Sequence, residues 1–177
     1  QEALNRKIDQ SELFQNRRAY AERDLISQSL LLDELDKKAG FKEFKIGDSL
    51  SVHQEKIKFM KTLENADTKL YLVKNTVSVK SYTGEIELEF YKGKVQEIIV
   101  SFKNSTPANY EDILGSLETL YGKSEKGKEK DSRFERIQNW SGKKIKLRLA
   151  YDENYKLTEM VFSGHDSLEK LKDEFWS

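Results

Sequence analysis

The most regular alternation of apolar and polar positions lies in residues 82–102, YTGEIELEFYKGKVQEIIVSF. Ile86, Leu88 and Phe90 alternate with Glu85, Glu87 and Glu89, which places apolar side chains on one face of a strand and carboxylates on the other. Lys92-Gly93-Lys94 interrupts the run and a second apolar run follows at once, so the stretch predicts a β-hairpin. A related pattern returns downstream. Tyr82-Thr83-Gly84 and the alternation after it match Trp140-Ser141-Gly142 and residues 143–149 with one inserted position, and residues 94–100 match residues 156–162. In the second copy Ile145, Leu147 and Leu149 point inward while Lys144, Lys146 and Arg148 point outward.

The second strand of each hairpin carries apolar residues on both sides. Ile98, Val100 and Phe102 oppose Val95 and Ile99, and Met160 and Phe162 oppose Leu157 and Val161. Such strands are expected where both faces are covered. Helices cover one face. The outer patch of Val95, Ile99, Leu157 and Val161 needs a second cover, for which the N-terminal helix, a partner protein and a second copy of the chain are the candidates.

Helical periods surround the hairpins. Residues 1–39 hold neither Gly nor Pro and are rich in Ala, Leu, Glu, Gln, Lys and Arg, which predicts one long helix ending at Gly40. Its apolar positions make no clean heptad. Residues 41–46 are an extended entry. Ser49 or Ser51 is positioned to cap a helix running to about Asn65, with Val52, Ile57, Met60 and Leu63 along one side. Residues 70–73 and 77–82 read as strands. Thr106 or Asn109 caps a helix over residues 110–121, which Gly122 ends. Residues 134–140, 144–151 and 156–162 read as strands, and residues 167–176 as a final helix. Ile57, Met60 and Leu63 correspond to Leu114, Leu117 and Leu120, so the repeated unit is a helix followed by a hairpin.

The resulting fold class is α+β: an antiparallel sheet built from two repeated helix-plus-hairpin units, with helices on one face and a long N-terminal helix in front. Residues 1–40 form the helical segment and residues 41–177 the α+β domain, with repeats at about 41–104 and 105–164 and a C-terminal helix.

Composition narrows the function. Lys plus Arg and Asp plus Glu number 31 each, so the net charge is zero and a nucleic-acid partner is not expected. No apolar run approaches the ~18 residues that a membrane-spanning helix needs. Cysteine is absent, which removes disulfides, thiol nucleophiles and cysteine-bound metals. The two histidines, His53 and His165, lack the spacing of a helical metal site and read as surface or capping residues. No nucleophile elbow or phosphate loop occurs. No cofactor, metal or catalytic residue is expected. The chain opens on Gln1 without an initiator Met, which is read as favouring an exported protein.

Ile46-Gly47-Asp48-Ser49 before a helix, Leu120-Tyr121-Gly122-Lys123 ending one, and Trp140 entering the next strands give residues 41–164 a pattern that resembles the tandem α/β units of β-lactamase-inhibitor-like proteins. A similar helix-to-sheet unit occurs in small outer-membrane assembly lipoproteins. The resemblance implies an exported, non-catalytic module of the periplasm or cell envelope that binds another protein on its sheet. Glu85, Glu87, Glu89, Lys144, Lys146 and Arg148 are then the candidate contacts. Two alternatives accompany this reading. One is a small-ligand binder or enzyme with a pocket between sheet and N-terminal helix, to which Tyr91 and Tyr151 contribute. The other is a homo-oligomer, such as a homodimer, formed through the apolar outer patch.

Overall fold

The structure is a computed structural model that describes residues 2–64, 66–127 and 134–165. Its elements follow the chain as α1 (Glu2–Lys38), β1 (Gly40–Phe41), β2 (Phe44–Lys45), α2 (Leu50–His53), β3 (Ile57–Thr62), β4 (Thr68–Val73), β5 (Val77–Val79), β6 (Tyr82–Tyr91), β7 (Lys94–Phe102), α3 (Pro107–Tyr121), β8 (Glu125–Lys126), β9 (Arg136–Ser141), β10 (Ile145–Asp152) and β11 (Leu157–Gly164). The fold is α+β, with a long N-terminal helix and an antiparallel sheet. The expected final helix over residues 167–176 lies outside the described residues.

The hairpins behave as their patterns require. Lys92 and Gly93 both adopt positive φ, 49° and 77°, as the tight turn between β6 and β7 demands, and only the glycine does so without steric cost. The strands join in the order β3-β4-β6-β7-β11-β10-β9-β8, with β5 beside the start of β6. The two long hairpins therefore meet at the centre, β7 against β11, with Val100 opposite Met160 and Ile98 opposite Phe162. Ile86, Leu88, Phe90, Ile98, Val100, Phe102, Leu147, Leu149, Met160 and Phe162 form the inner layer of the core and are almost fully buried.

Three elements cover that inner face. Helix α3 begins at a capping box, in which Thr106 Oγ1 accepts from the Asn109 backbone N–H while Asn109 Oδ1 accepts from that of Thr106. It buries Tyr110, Ile113, Leu117 and Tyr121. The last turns of α1 pack beside α3, with Leu35 fully buried in the common core and Leu32 against it. The small β1–β2 hairpin completes the layer: Phe44 is buried and Phe41 stacks on Phe162 at 5.9 Å. Because Leu35 shares one core with the strands, the end of α1 is integral to the α+β body. The helix closes with Ala39, not Gly40, in the left-handed conformation, φ 54°.

The structure corrects several expectations. The helix expected from Ser49 to about Asn65 is confined to Leu50–His53, and Ile57, Phe59 and Met60 lie in strand β3. Their spacing suits a helix as well as a strand. Pairing decides: Ile57 faces Val73 and Phe59 faces Tyr71 in register, with their rings 5.5 Å apart. Cross-strand partners of this kind override local helical preference. The first expected unit therefore lacks its helix. Tyr82-Thr83-Gly84 lies inside β6 whereas Trp140-Ser141 ends β9, so the matched motifs stand at different places in their strands. Val95, expected on the outer patch, is in the core at 2% exposure. A register shift after Glu89 pairs Phe90 with Val95 and leaves Gln96 as the extra residue, turning Val95 inward. Finally, α1 does not cover the outer face. Its buried end lies on the inner side with α3, because its apolar residues there are Leu32 and Leu35.

Candidate interaction face

With α1, α3 and the β1–β2 hairpin on the inner side, no described helix lies over the outer face of the central strands; its end at β9–β10 is nonetheless closed, where Ile137, Ala150 and Asp152 are buried and Phe134 lies against Arg148. On β6, Glu85, Glu87 and Glu89 stand in a row on this face, half-buried. On β10, Lys146 and Arg148 do the same. The strands between them, β7 and β11, contribute Glu97, Ile99 and Ser101, and Glu159, Val161 and Ser163. The outer face is thus acidic at β6–β7 and basic at β10, with the Ile99–Val161 pair between.

Val161 is only 8% exposed. Its cross-strand neighbours are Ile99 and Arg148, and the methylene stems of long charged side chains shield apolar surface while their heads stay hydrated. Leu157, also assigned to the patch, is half-buried at the far end of β11, opposite Asp152.

The charged groups are partly bound to each other. Lys103 Nζ is 2.5 Å from Glu85 Oε2, Arg148 Nη2 is 3.3 Å from Glu159 Oε1, and Gln96 donates to Glu89. Arg148 also lies over the Phe134 ring, 5.3 Å from its centre. Glu97 is the most perturbed of the described groups on this face. Burial first, and then the Glu89 carboxylate directly opposite it, push its carboxyl up to about 7; Arg148 opposes the shift and Glu159 adds to it. Beside it a hollow of about 440 Å³ is lined by Glu97, Trp140, Lys146, Arg148, Val161 and Ser163 among others.

The structure brings Glu85, Glu87, Glu89, Lys146 and Arg148 onto one face, as the alternation requires. Lys144 is not among them. It lies in the turn before β10, where its backbone N–H donates to Asp36 Oδ1 at 2.8 Å. Asp36 is the anchor between α1 and this turn, accepting also from the N–H groups of Lys143 and Ile145 at 2.6 and 2.9 Å. Burial works against its charge, but these backbone donors outweigh it and hold its carboxyl below the usual carboxylate range. Glu97, Glu159 and Ser163 were missed by sequence reasoning. The even alternation around Lys92-Gly93 would set Glu89 opposite Gln96, and only the bulge brings Glu97 there.

A cleft at the end of α1 corresponds in place to the expected ligand pocket. It measures about 460 Å³ and is lined by Asp36, Ile46, Tyr91, Lys94, Lys143 and His165 among others. Its polar groups hold the fold: Asp36 as above, Lys94 Nζ on Ser49 Oγ at 3.0 Å, Lys143 Nζ near Asp33 at 3.5 Å, and His165 Nε2 on the Gly142 carbonyl at 2.8 Å. Tyr151 is elsewhere, buried against Tyr110. His53 is buried at 2% exposure instead of lying at the surface. Its Nε2 meets Asp48 Oδ2 at 2.7 Å and its ring packs on Phe44 at 4.9 Å, which ties α2 to the β2 corner. Trp140 and Tyr82 both turn towards α3: Trp140 Nε1 donates to the Gly122 carbonyl at 2.8 Å and the Tyr82 hydroxyl to Asp112 at 2.9 Å. Among the described residues, no group of His, Asp and Glu is arranged to hold a metal ion, and no helix is long and apolar enough to cross a membrane.

No protein-family model matches the chain, and neither curated proteins nor solved structures gave a match.

Proposed function

We propose that this chain is a non-catalytic interaction module that receives a partner protein on the outer face of its sheet. The observation that carries this reading is the one-sidedness of the packing. Every described helix packs on the inner face, while the outer face presents an acidic strand and a basic strand on either side of the Ile99–Val161 pair. A face divided in this way favours a partner of opposite charge pattern, since complementary potentials set register and suppress wrong partners. The hollow beside Arg148 is partly open and lined by charged and polar groups as well as by Trp140, Leu147 and Val161, whereas small-molecule sites are lined predominantly by apolar side chains.

The resemblance of residues 41–164 to exported binding modules supports a place in the cell envelope, and fractionation of cells carrying the full chain tests it. The order of strands outward from the centre, β7-β6-β4-β3 on one side and β11-β10-β9-β8 on the other, supports an origin by duplication of the strands.

The experiment is a photo-crosslinker at position 87 or 146 in the full chain, in cells, with and without reversal of the remaining face charges. A discrete adduct lost with Glu89→Lys or Arg148→Glu is expected. Reversals that leave every adduct intact would refute the reading.

A further inference from the structure

The stripe by which α1 packs on the body continues past the body. Leu35, Leu32 and Gln28 lie along it: the first two enter or line the core, and Gln28 exchanges hydrogen bonds with the Lys123 backbone at 2.9 and 3.2 Å. The same alternation of three- and four-residue steps runs on through Leu25, Ala21, Arg18 and Phe14, an interrupted seam in which Leu25, Ala21 and Phe14 are apolar while Leu13, Tyr20, Ile26 and Leu30 are exposed outside it. Every residue from 13 to 27 is exposed, Phe14 at 69% and Leu25 at 70%. In proteins most helical stability comes from packing of one face and not from propensity alone.

We propose that this stripe is covered by α1 of a second copy of the chain, running antiparallel. Charge decides both the occupant and the direction. Arg17 and Asp24 stand on one flank of the seam and Glu22 on the other; Arg18, in the seam itself, is paired with Glu22 of its own helix at 3.0 Å, and Arg23 lies between the two acids on the side away from the seam. A helix whose basic turn precedes its acidic turn complements its own reverse. Antiparallel pairing with Phe14 at the level of Leu25 of the partner subunit puts the two-fold axis between Ala19 and Tyr20 and brings Arg17 near Asp24 of the partner subunit, with Arg18 level with Ala21 of the partner subunit. Parallel pairing in register sets Arg18 against Arg18 within the seam, which is repulsive.

The antiparallel arrangement also brings Phe14 of the partner subunit to the level of Leu25. There a groove of about 400 Å³ opens between α1 and the sheet, lined by Leu25, Gln28, Leu32 and Trp140. An aromatic ring at its mouth covers the apolar surface left where α1 leaves the body. The two bodies then lie at opposite ends of the helix pair, with their outer sheet faces available to other partners.

Absence of native cysteine makes the test direct. The full chain is expected to have the mass of two copies by light scattering and sedimentation. The double variant Phe14→Glu/Leu25→Glu is expected to lose the dimer while keeping the near-ultraviolet signal of the packed core, because both side chains are exposed in the single chain. Under oxidation, a mixture of Phe14→Cys and Leu25→Cys chains is expected to cross-link to each other in preference to themselves. A single-copy mass at all concentrations overturns the proposal. So does efficient self-linking of Phe14→Cys, which indicates parallel helices, or a dimer that survives the double variant.

Discussion

Glu97 carries the largest electrostatic penalty described on the outer face. Its folded pKa, about 7, lies above the ordinary 4.5. The stability this site contributes is therefore fully present below about pH 4.5 and is lost as pH rises through 7, where the carboxyl must ionise beside Glu89. Glu97→Gln is expected to leave stability at pH 5 nearly unchanged and to raise it by about 1–2 kcal/mol at pH 8, read from urea denaturation at the two pH values. Asp36 has the opposite sign. Its depressed pKa gives stability that is present above the unfolded value and is lost as pH falls through the folded one. Asp36→Ala leaves three backbone donors without their acceptor and is expected to cost about 2–3 kcal/mol, with Asp36→Asn recovering part of the loss. Neither role was legible in the sequence, where these are two of many acidic residues. Each role depends on which backbone or carboxylate the fold sets opposite.

Among elements, α3 and the two long hairpins were legible because local signals agreed with the final packing. Thr106, one of the two expected caps, starts the helix and Gly122 stops it, although α3 begins at Pro107, where the sequence predicts connecting loop, and not at Tyr110; alternation in β6 and β10 matches their inner and outer faces. Thr106→Ala is expected to cost about 1 kcal/mol through loss of the cap, measurable as a lower denaturation midpoint. Gly122 is more sensitive. Its φ of 83° disfavours any side chain, and a Cβ there would stand 2.4 Å from Gln28 Oε1, so Gly122→Ala is expected to loosen the contact of α1 with α3 as well as strain the helix end. Strand β3 was not legible. Ile57, Phe59 and Met60 satisfy either period, and Phe59 and Met60 remain half-exposed at the sheet edge, so the partner strand β4 supplies the decision. Val95 was misread for a related reason: one extra residue reverses every side chain beyond it.

At the scale of the whole molecule, the centre of the sheet and the free part of α1 stand at opposite ends of local stability. Backbone amides of β7 and β11, paired on both edges and buried on the inner face, are expected to exchange hydrogen slowest. Those of residues 13–27 are expected to exchange fastest in dilute solution and to gain protection as concentration rises, if α1 pairs with itself; mass-spectrometric hydrogen exchange at two concentrations reads both. The sequence by itself determined the long N-terminal helix, the two hairpins, α3 and the α+β class, because each rests on a period and on end signals carried by nearby residues. The tertiary structure decided the rest. It made a strand of residues 57–62, turned Val95 into the core, put α1 on the same side as α3, and set Glu97 against Glu89. Each of these outcomes depends on residues distant along the chain or on a one-residue register shift, and neither kind of contact leaves a local periodicity to read.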